Sequence, residues 1–405
     1  MARLTFQRLD RFSPSFWALI GLNVVMVALG LSAALYMESR GHIVTGMSNQ
    51  IVWGLPHVFA VFLIVSASGA LNIASISSVF NRPAYKPYAR LSGILAIALL
   101  VGGLTILVLD LGRPDRLIVA MTTYNFKSIF AWNIYLYSGF VVVVGAYLFA
   151  MMDRRVSQSK TTGKVMGMTA FVWRLILTTG TGSIFGFLVA REAYNSAVMA
   201  PLFIAASFLY GLAFTVLVLV LTSRETTEDL MTEEMLGKFR ALLIIFSLAL
   251  LYFTALFHLT KLYATKFHGV EAFLLLKGGL YPLVFWLGQI VIGSILPILL
   301  LVFRGAGVDG RRTITIASGL FLIGGLAQMY VIIIGGQAYP LNLFPGMVVS
   351  SSFFDGQIGH YWPSLPELLL GAGGFSFSML IVVLALRLMP FLPRFYRQEP
   401  EEMTQ

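Results

Sequence analysis

The stretch Leu109-Asp110-Leu111-Gly112-Arg113-Pro114-Asp115-Arg116, followed by Asn125-Phe126-Lys127-Ser128-Ile129-Phe130-Ala131-Trp132, is a charged hinge between two long apolar segments. Asp110 stands at the end of the apolar run 91–109, where an acid is costly in hydrocarbon. Gly112 and Pro114 stop that helix. Arg113, Arg116, Lys127 and a second acid, Asp115, crowd the turn before the next apolar run opens at Ser128. A charged turn between two span-length apolar runs belongs at a membrane surface, and the rest of the chain follows from that.

Of the 405 residues, 58% are hydrophobic and only 11% charged, against about 25% charged in a soluble domain. The 32 Phe and 17 Met suit lipid contact and helix packing. The chain has no cysteine, which excludes disulfides, Cys-bound iron–sulfur clusters and Cys zinc sites. A redox centre held here would need His, or would be a diffusible organic molecule. The net charge of +10 does not indicate nucleic acid, because the cations lie in loops next to apolar spans, where membrane topology explains them. No cleavable signal peptide is evident: the first 15 residues are polar and basic, and the apolar run behind them is span-length.

Ten apolar runs can each cross a bilayer: 16–37, 51–77, 91–111, 128–151, 171–190, 196–222, 239–263, 280–303, 313–335 and 367–389. Lys and Arg concentrate in alternate connections, including Arg82/Lys86/Arg90, Arg154/Arg155/Lys160/Lys164 and Arg304/Arg311/Arg312, and in both tails. That bias predicts cytoplasmic termini. The reading is an all-α polytopic membrane protein of ten helices, arranged as two four-helix bundles plus two flanking helices. Its parts are an N-terminal membrane half (1–222), an acidic linker (223–240) and a C-terminal membrane half (241–405). The long loop 336–366 lies on the outer face; it carries no Lys or Arg and is expected to fold back there or meet a partner. Glu225, Glu228, Asp229, Glu233 and Glu234 read as a solvated inner-surface helix. Ser66, Ala70, Ala74 and Ser78 form a small-residue stripe that lets another helix approach closely.

His57 sits a short way into the second run, behind Pro56, which is expected to disturb the local backbone hydrogen bonds. Asp110 lies at the same side and similar depth. A His and an Asp so placed can relay protons, since His titrates near neutrality; the plainer alternatives are a packed His57 bonded to a carbonyl and an Asp110 paired with Arg113 or Arg116. Those cations could polarise a carbonyl or bind lipid phosphate. Asn125 can donate to a carbonyl and Trp132 can stack on a ring, although Trp53, Trp132 and Tyr36 equally fit an interfacial belt. His258 stands near the outer end of the seventh run, before Lys261 and Tyr263. Two intramembrane histidines, His57 and His258, do not make the layered set that a transmembrane haem uses. Arg174 is placed near the inner end of the fifth run, which leaves the bilayer midplane nearly bare.

Trp53-Gly54, Phe80-Asn81-Arg82, Asp110-x-Gly112-Arg113 and Asn125-x-x-Ser128-x-x-x-Trp132, in that order, resemble the NrfD/PsrC family of membrane quinone-interacting subunits. Ten runs and the stretch His258-Leu-Thr-Lys-Leu-Tyr…Phe285-Trp286…Pro297 are similar to its long branch, which includes HybB and DsrP subunits, with DsrP the nearer. The resemblance implies a quinone (menaquinone or ubiquinone) bound near the periplasmic side of a four-helix bundle, with no haem or iron–sulfur cluster held by this chain and no metal site. It implies a subunit of a quinone oxidoreductase complex in respiration or sulfur metabolism, inactive alone, in the bacterial inner membrane. Expected partners are a periplasmic iron–sulfur subunit, cytochrome c, other membrane subunits and the bilayer, with no nucleic acid. The expected catalytic pair is His57 and Asp110, with Trp53, Arg113, Asn125, Trp132 and His258 binding the quinone. The contribution of the first run stays open, because Asn23 is mid-run and His42 lies beyond it. Rival readings are a secondary transporter, which should carry midplane ionisable groups on broken helices, and a passive anchor.

Overall fold

The computed structural model describes residues 4–153, 155, 159–226, 229–304, 310–341 and 356–395. Its long helices are α1 (Pro14–Arg40), α2 (Leu55–Ser78), α3 (Ala89–Leu109), α4 (Ile129–Met152), α5 (Lys160–Gly186), α6 (Met199–Ser223), α7 (Glu233–Tyr263), α8 (Leu280–Arg304), α9 (Gly310–Ala338) and α10 (Leu365–Leu388). Nine helices among the described residues are long and apolar enough to cross a membrane; α5 is the exception. It is 27 residues long, about 40 Å at 1.5 Å per residue, but Thr, Gly and the buried Arg174 dilute its apolarity.

Topology supplies the missing crossing. Leu4–Gln7 (β1), ahead of α1, pairs antiparallel with Leu392–Phe395 (β2), after α10. The chain therefore enters and leaves the bundle on one face, which requires an even number of crossings. The alternation of apolar runs does not reveal these two short strands, each of four residues. The opposite face, the far face, is where α2 begins and α3 ends.

Helices α2–α5 form one four-helix group and α6–α9 a second, while α1 packs along α10 and α10 lies against α2 and α3. The groups meet where α2 crosses α6. Gly69 and Gly211 bring the two backbones into contact: a Cβ on Gly69 would overlap the Ser207 carbonyl oxygen, and one on Gly211 would overlap the backbone of Gly69. Helix α6, assigned from the sequence to the first half, packs on α7 and α9 as well as on α2 and α5. On the face that carries the termini, described residues of the acidic linker hold helices together rather than standing free. Glu225 accepts from Ser13 N and Oγ (2.6 and 2.7 Å) at the start of α1. Asp229 pairs with Arg311 in α9, and Glu233 and Glu234 already belong to the first turn of α7.

Overpacking a close backbone crossing costs about 1–3 kcal/mol. Gly69→Val is expected to lower the thermal midpoint of the purified protein clearly. Gly21→Ala, on the open face of α1 where a Cβ meets nothing within 4 Å, is expected to leave it unchanged in the same melt.

Candidate functional site

The first turn of α2 and the last residue of α3 come together at the far face. Pro56 occupies that first turn, where its missing N–H removes no helical bond, so it starts the helix rather than disturbing it. His57 follows at once. Asp110 is the C-terminal cap of α3, its N–H bonded to Ile106 O at 2.9 Å. His57 Nδ1 lies 2.8 Å from Asp110 Oδ2. The distance is that of an ion pair, but its angles fall short of a hydrogen bond, and Asp110 Oδ1 has no partner among the described residues. The Asp110 side chain is 1% exposed and that of His57 21%, so the carboxyl is sealed in and the imidazole is reachable. The sequence-derived pairing of Asp110 with Arg113 or Arg116 is not what the structure holds.

Trp53 lies flat beside His57, the ring centroids 6.1 Å apart and the planes 24° from parallel. Phe130 of α4 (5.7 Å), Phe185 of α5 (5.7 Å) and Tyr194 (6.5 Å) enclose the indole. The α4 side chain that reaches Trp53 is thus Phe130. Trp132 instead gives its Nε1–H to Phe126 O at 2.9 Å and joins Tyr124, Phe126 and Tyr135 in an exposed aromatic cluster, as an interfacial belt would. Asn125 Oδ1 accepts from Lys127 N at 3.0 Å in a turn that leads into α4. Arg113 turns away to Asp115 through two hydrogen bonds of 3.0 and 2.8 Å. That guanidinium holds the exposed Asp115 carboxyl below its ordinary range.

Two buried side chains from the C-terminal part fix the segment in front of His57. Gln337, at the end of α9, accepts from Val52 N and Trp53 N (both 3.0 Å) and donates to Trp53 O (3.0 Å) and Ile333 O (2.9 Å). Arg191 donates to the carbonyls of Gln337 and Gln50, each at 2.8 Å. Glu367, fully buried in α10, accepts from Gly46 N and Ser364 N (both 2.8 Å) and from Tyr361 Oη (2.7 Å). Leu55 N donates to Tyr361 Oη in turn (2.6 Å). Burial, and then the Glu367 carboxylate beside it, push the Tyr361 hydroxyl far above its ordinary value, so it stays a donor. Gly54 has no room for a side chain, since a Cβ would overlap Glu367 Oε1. The described part of loop 336–366 does fold back on this face: Gln50 Nε2 donates to Gln357 O at 2.7 Å. Asp355 lies outside the described residues, and His360 is exposed.

Sequence reasoning misses Gln337 and Glu367 as partners of this segment. The signal available is the pair of polar residues at the outer ends of two apolar runs, without the contact. It also misplaces Arg174. Because α5 begins at Lys160, Arg174 falls in mid-helix, fully buried between the rings of Phe171 and Phe208, its guanidinium making among the described residues only a long 3.4 Å bond to Ser68 O. The middle of the bundle is therefore not bare. His258 is placed with Glu271, at 2.7 Å, on helices of the second group and not in contact with Trp53.

A family model described as polysulphide reductase NrfD matches residues 43–340. The chain is 29% identical to an Hdr-like menaquinol oxidoreductase integral membrane subunit from Archaeoglobus fulgidus, over 96% of both proteins. It is 24% identical to a protein NrfD homolog from Haemophilus influenzae, over 71% of this chain and 95% of the relative. It is also 24% identical to a polysulfide reductase chain from Wolinella succinogenes, over 72% of this chain and 96% of the relative.

Gln337→Leu leaves Val52 N–H, Trp53 N–H and Trp53 O unpaired, at about 1–3 kcal/mol for each buried group that water cannot reach. The expected result is faster amide hydrogen exchange in 50–56, with α2 itself still protected; exchange mass spectrometry checks it.

Proposed function

Because the chain belongs to the polysulphide reductase NrfD family, we propose that it is the quinone-binding membrane subunit of a redox complex, with the quinone ring at the His57–Asp110 contact. One observation carries this reading: a sealed carboxyl 2.8 Å from a reachable imidazole, beneath a flat indole, at one end of a membrane-spanning bundle. The residues suit such a ring. The reachable imidazole of His57 is the group that a ring hydroxyl would meet, with the sealed Asp110 carboxyl behind it. Trp53 and Phe130 offer aromatic faces to a planar ligand.

Oxidation of a quinol releases two electrons and two protons. His57 is the group placed to accept the two phenolic protons in turn, passing the first to solvent before it takes the second, being within reach of solvent on one side and of Asp110 on the other. Asp110 holds the imidazole orientation and stabilises the charge that the proton brings. Gln337 and Glu367 keep the Trp53–His57 backbone from shifting while this happens. Electrons leave to a partner outside the bilayer. In this reading the far face is periplasmic, the termini are cytoplasmic, and the membrane is the bacterial inner membrane. The partner is a periplasmic iron–sulfur subunit, with a cytochrome c and further membrane subunits in the same respiratory or sulfur-metabolism complex. Menaquinone is supported by what the Archaeoglobus relative is named for.

Purified protein is expected to bind a menaquinone or ubiquinone analogue. His57→Ala and Asp110→Asn should each weaken binding by about tenfold or more, equal to ~1.4 kcal/mol; His57→Ala, which strands the buried carboxyl, should also lower the thermal midpoint, whereas Asp110→Asn, which removes the buried charge, separates binding from folding. Arg113→Ala, whose side chain is committed to Asp115, should bind within about twofold of wild type, since exposed ion pairs contribute only ~0–1 kcal/mol. If the wild type fails to bind with its partner subunits present, the quinone reading falls. If it binds and both variants bind equally well, the site is elsewhere.

A further inference from the structure

The second His–carboxylate pair lies on the same face but in the other helix group. His258, in α7, donates or accepts through Nδ1 at 2.7 Å from Glu271 Oε2, on the short helix His268–Ala272. Glu271 is fully buried, and its other oxygen, Oε1, has no partner among the described residues. The imidazole is held edge-to-face between Phe257 and Phe285, at 5.0 and 4.9 Å. A buried carboxyl left half-paired in apolar surroundings is expensive unless water or a proton completes it.

The backbone makes room there. The described residues contain three π-helical stretches, Phe273–Lys277, Val284–Ile295 and Val331–Gly335. All three contribute to the wall of one cavity, through Leu274, Phe285 and Gln289, and Val331 and Ile332, and His258 lines the same cavity. π-Helical turns widen a helix and recur at functional sites. The space open to water centres is about 20 Å³, enough for one ordered water and too little for a quinone ring, since about 10–15 Å³ admits one water. Thr254, His258, Gln289 and Gln328 line the cavity and would give a water there polar neighbours.

The charged and titratable groups around the dyad come from every side. Lys261, one turn further along α7, is buried, lies over the rings of Phe257 and Phe267, and donates to the Glu192 carbonyl oxygen. It stands within electrostatic reach of both Glu271 and Glu192. Tyr339 flanks the short helix at Gly269, and Tyr210 donates to Gln328, which lines the cavity.

We propose that His258 and Glu271 form a proton-exchange site, distinct from the His57–Asp110 contact, whose ligand is a proton delivered by internal water. Uptake converts a Glu271 carboxylate facing neutral His258 into the same carboxylate facing an imidazolium. The proton comes from water in the cavity, and no electron moves. Lys261 balances Glu192 and keeps the net charge of the cluster near zero in the protonated state.

The test needs no quinone, so its failure is distinguishable from failure of the quinone reading. Full-length protein in lipid nanodiscs is titrated between about pH 5 and pH 9, the range where histidine switches, and followed by infrared difference spectroscopy in H₂O and D₂O. The expected result is a coupled carboxylate and imidazole band pair with a single midpoint, shifted in D₂O, lost in Glu271→Gln and in His258→Gln, and kept in His57→Ala. Analogue binding should be unchanged in Glu271→Gln. Should the glutamine variants fold poorly, Glu271→Asp, which keeps the charge and moves the carboxylate, still decides: the band pair and its midpoint should move from their wild-type values if this pair is the site, and stay where they are if it is not. A band pair absent from the wild type, insensitive to D₂O, or retained in both glutamine variants overturns the proposal and leaves a closed structural pair.

Discussion

A carboxyl at the end of an apolar helix has to find a partner, and Asp110 finds His57. In hydrocarbon an unpaired acid costs several kcal/mol, and it sits at the negative end of the α3 dipole, which does not favour it. Meeting that requirement sets the register of α3 against α2, because the last residue of one must reach the first turn of the other. That contact sets His57 beside the indole of Trp53, while Gln337 and Glu367 hold the loop that presents the indole. In the proposed reading, chemistry and stability are joined at one pair of side chains.

The loop before α2 shows how a membrane bundle secures irregular backbone. Residues 46–54 have N–H groups that no helix satisfies, and part of this segment, including Gln50, Ile51 and Gly54, is buried. Gln337 and Glu367 supply acceptors, one from the end of α9 and one from the start of α10. The second helix group and α10 thereby hold the site of the first. Loss of the C-terminal helices would be felt at Trp53 and His57 although the rings packed around that indole come from α2, α4, α5 and Tyr194.

Much of this is legible in the sequence, for physical reasons. Apolar runs of about 20 residues must become helices because only internal hydrogen bonds satisfy the backbone in lipid. His57 and Asp110 stand out because ionisable groups are rare in such runs. What stays hidden depends on contact between distant positions. Gln337 and Glu367 look like ordinary polar helix ends until the loop is laid on them. Trp132 reads as a stacking or belt residue and Phe130 draws no notice, and only the helix rotation decides that Phe130 faces Trp53. His258 reads as a member of the first site because depth alone is available; its partner Glu271 sits in a short connection with no apolar pattern. The strands β1 and β2 are too short to leave a period, and Arg174 is misplaced because the polar first turns of α5 hide where that helix starts.

Photo-crosslinking tests the placement of the quinone ring most directly. A menaquinone analogue carrying an azide on the ring, activated in native membranes and mapped by peptide mass spectrometry, reports where the ring sits without mutation. A ring at the His57–Asp110 contact should label the segment 50–57 and the surroundings of Asp110 and Phe130, with labelling suppressed by excess unlabelled menaquinone. Competable labelling confined to α7 and α8 around His258, with the His57 region untouched, would contradict that placement.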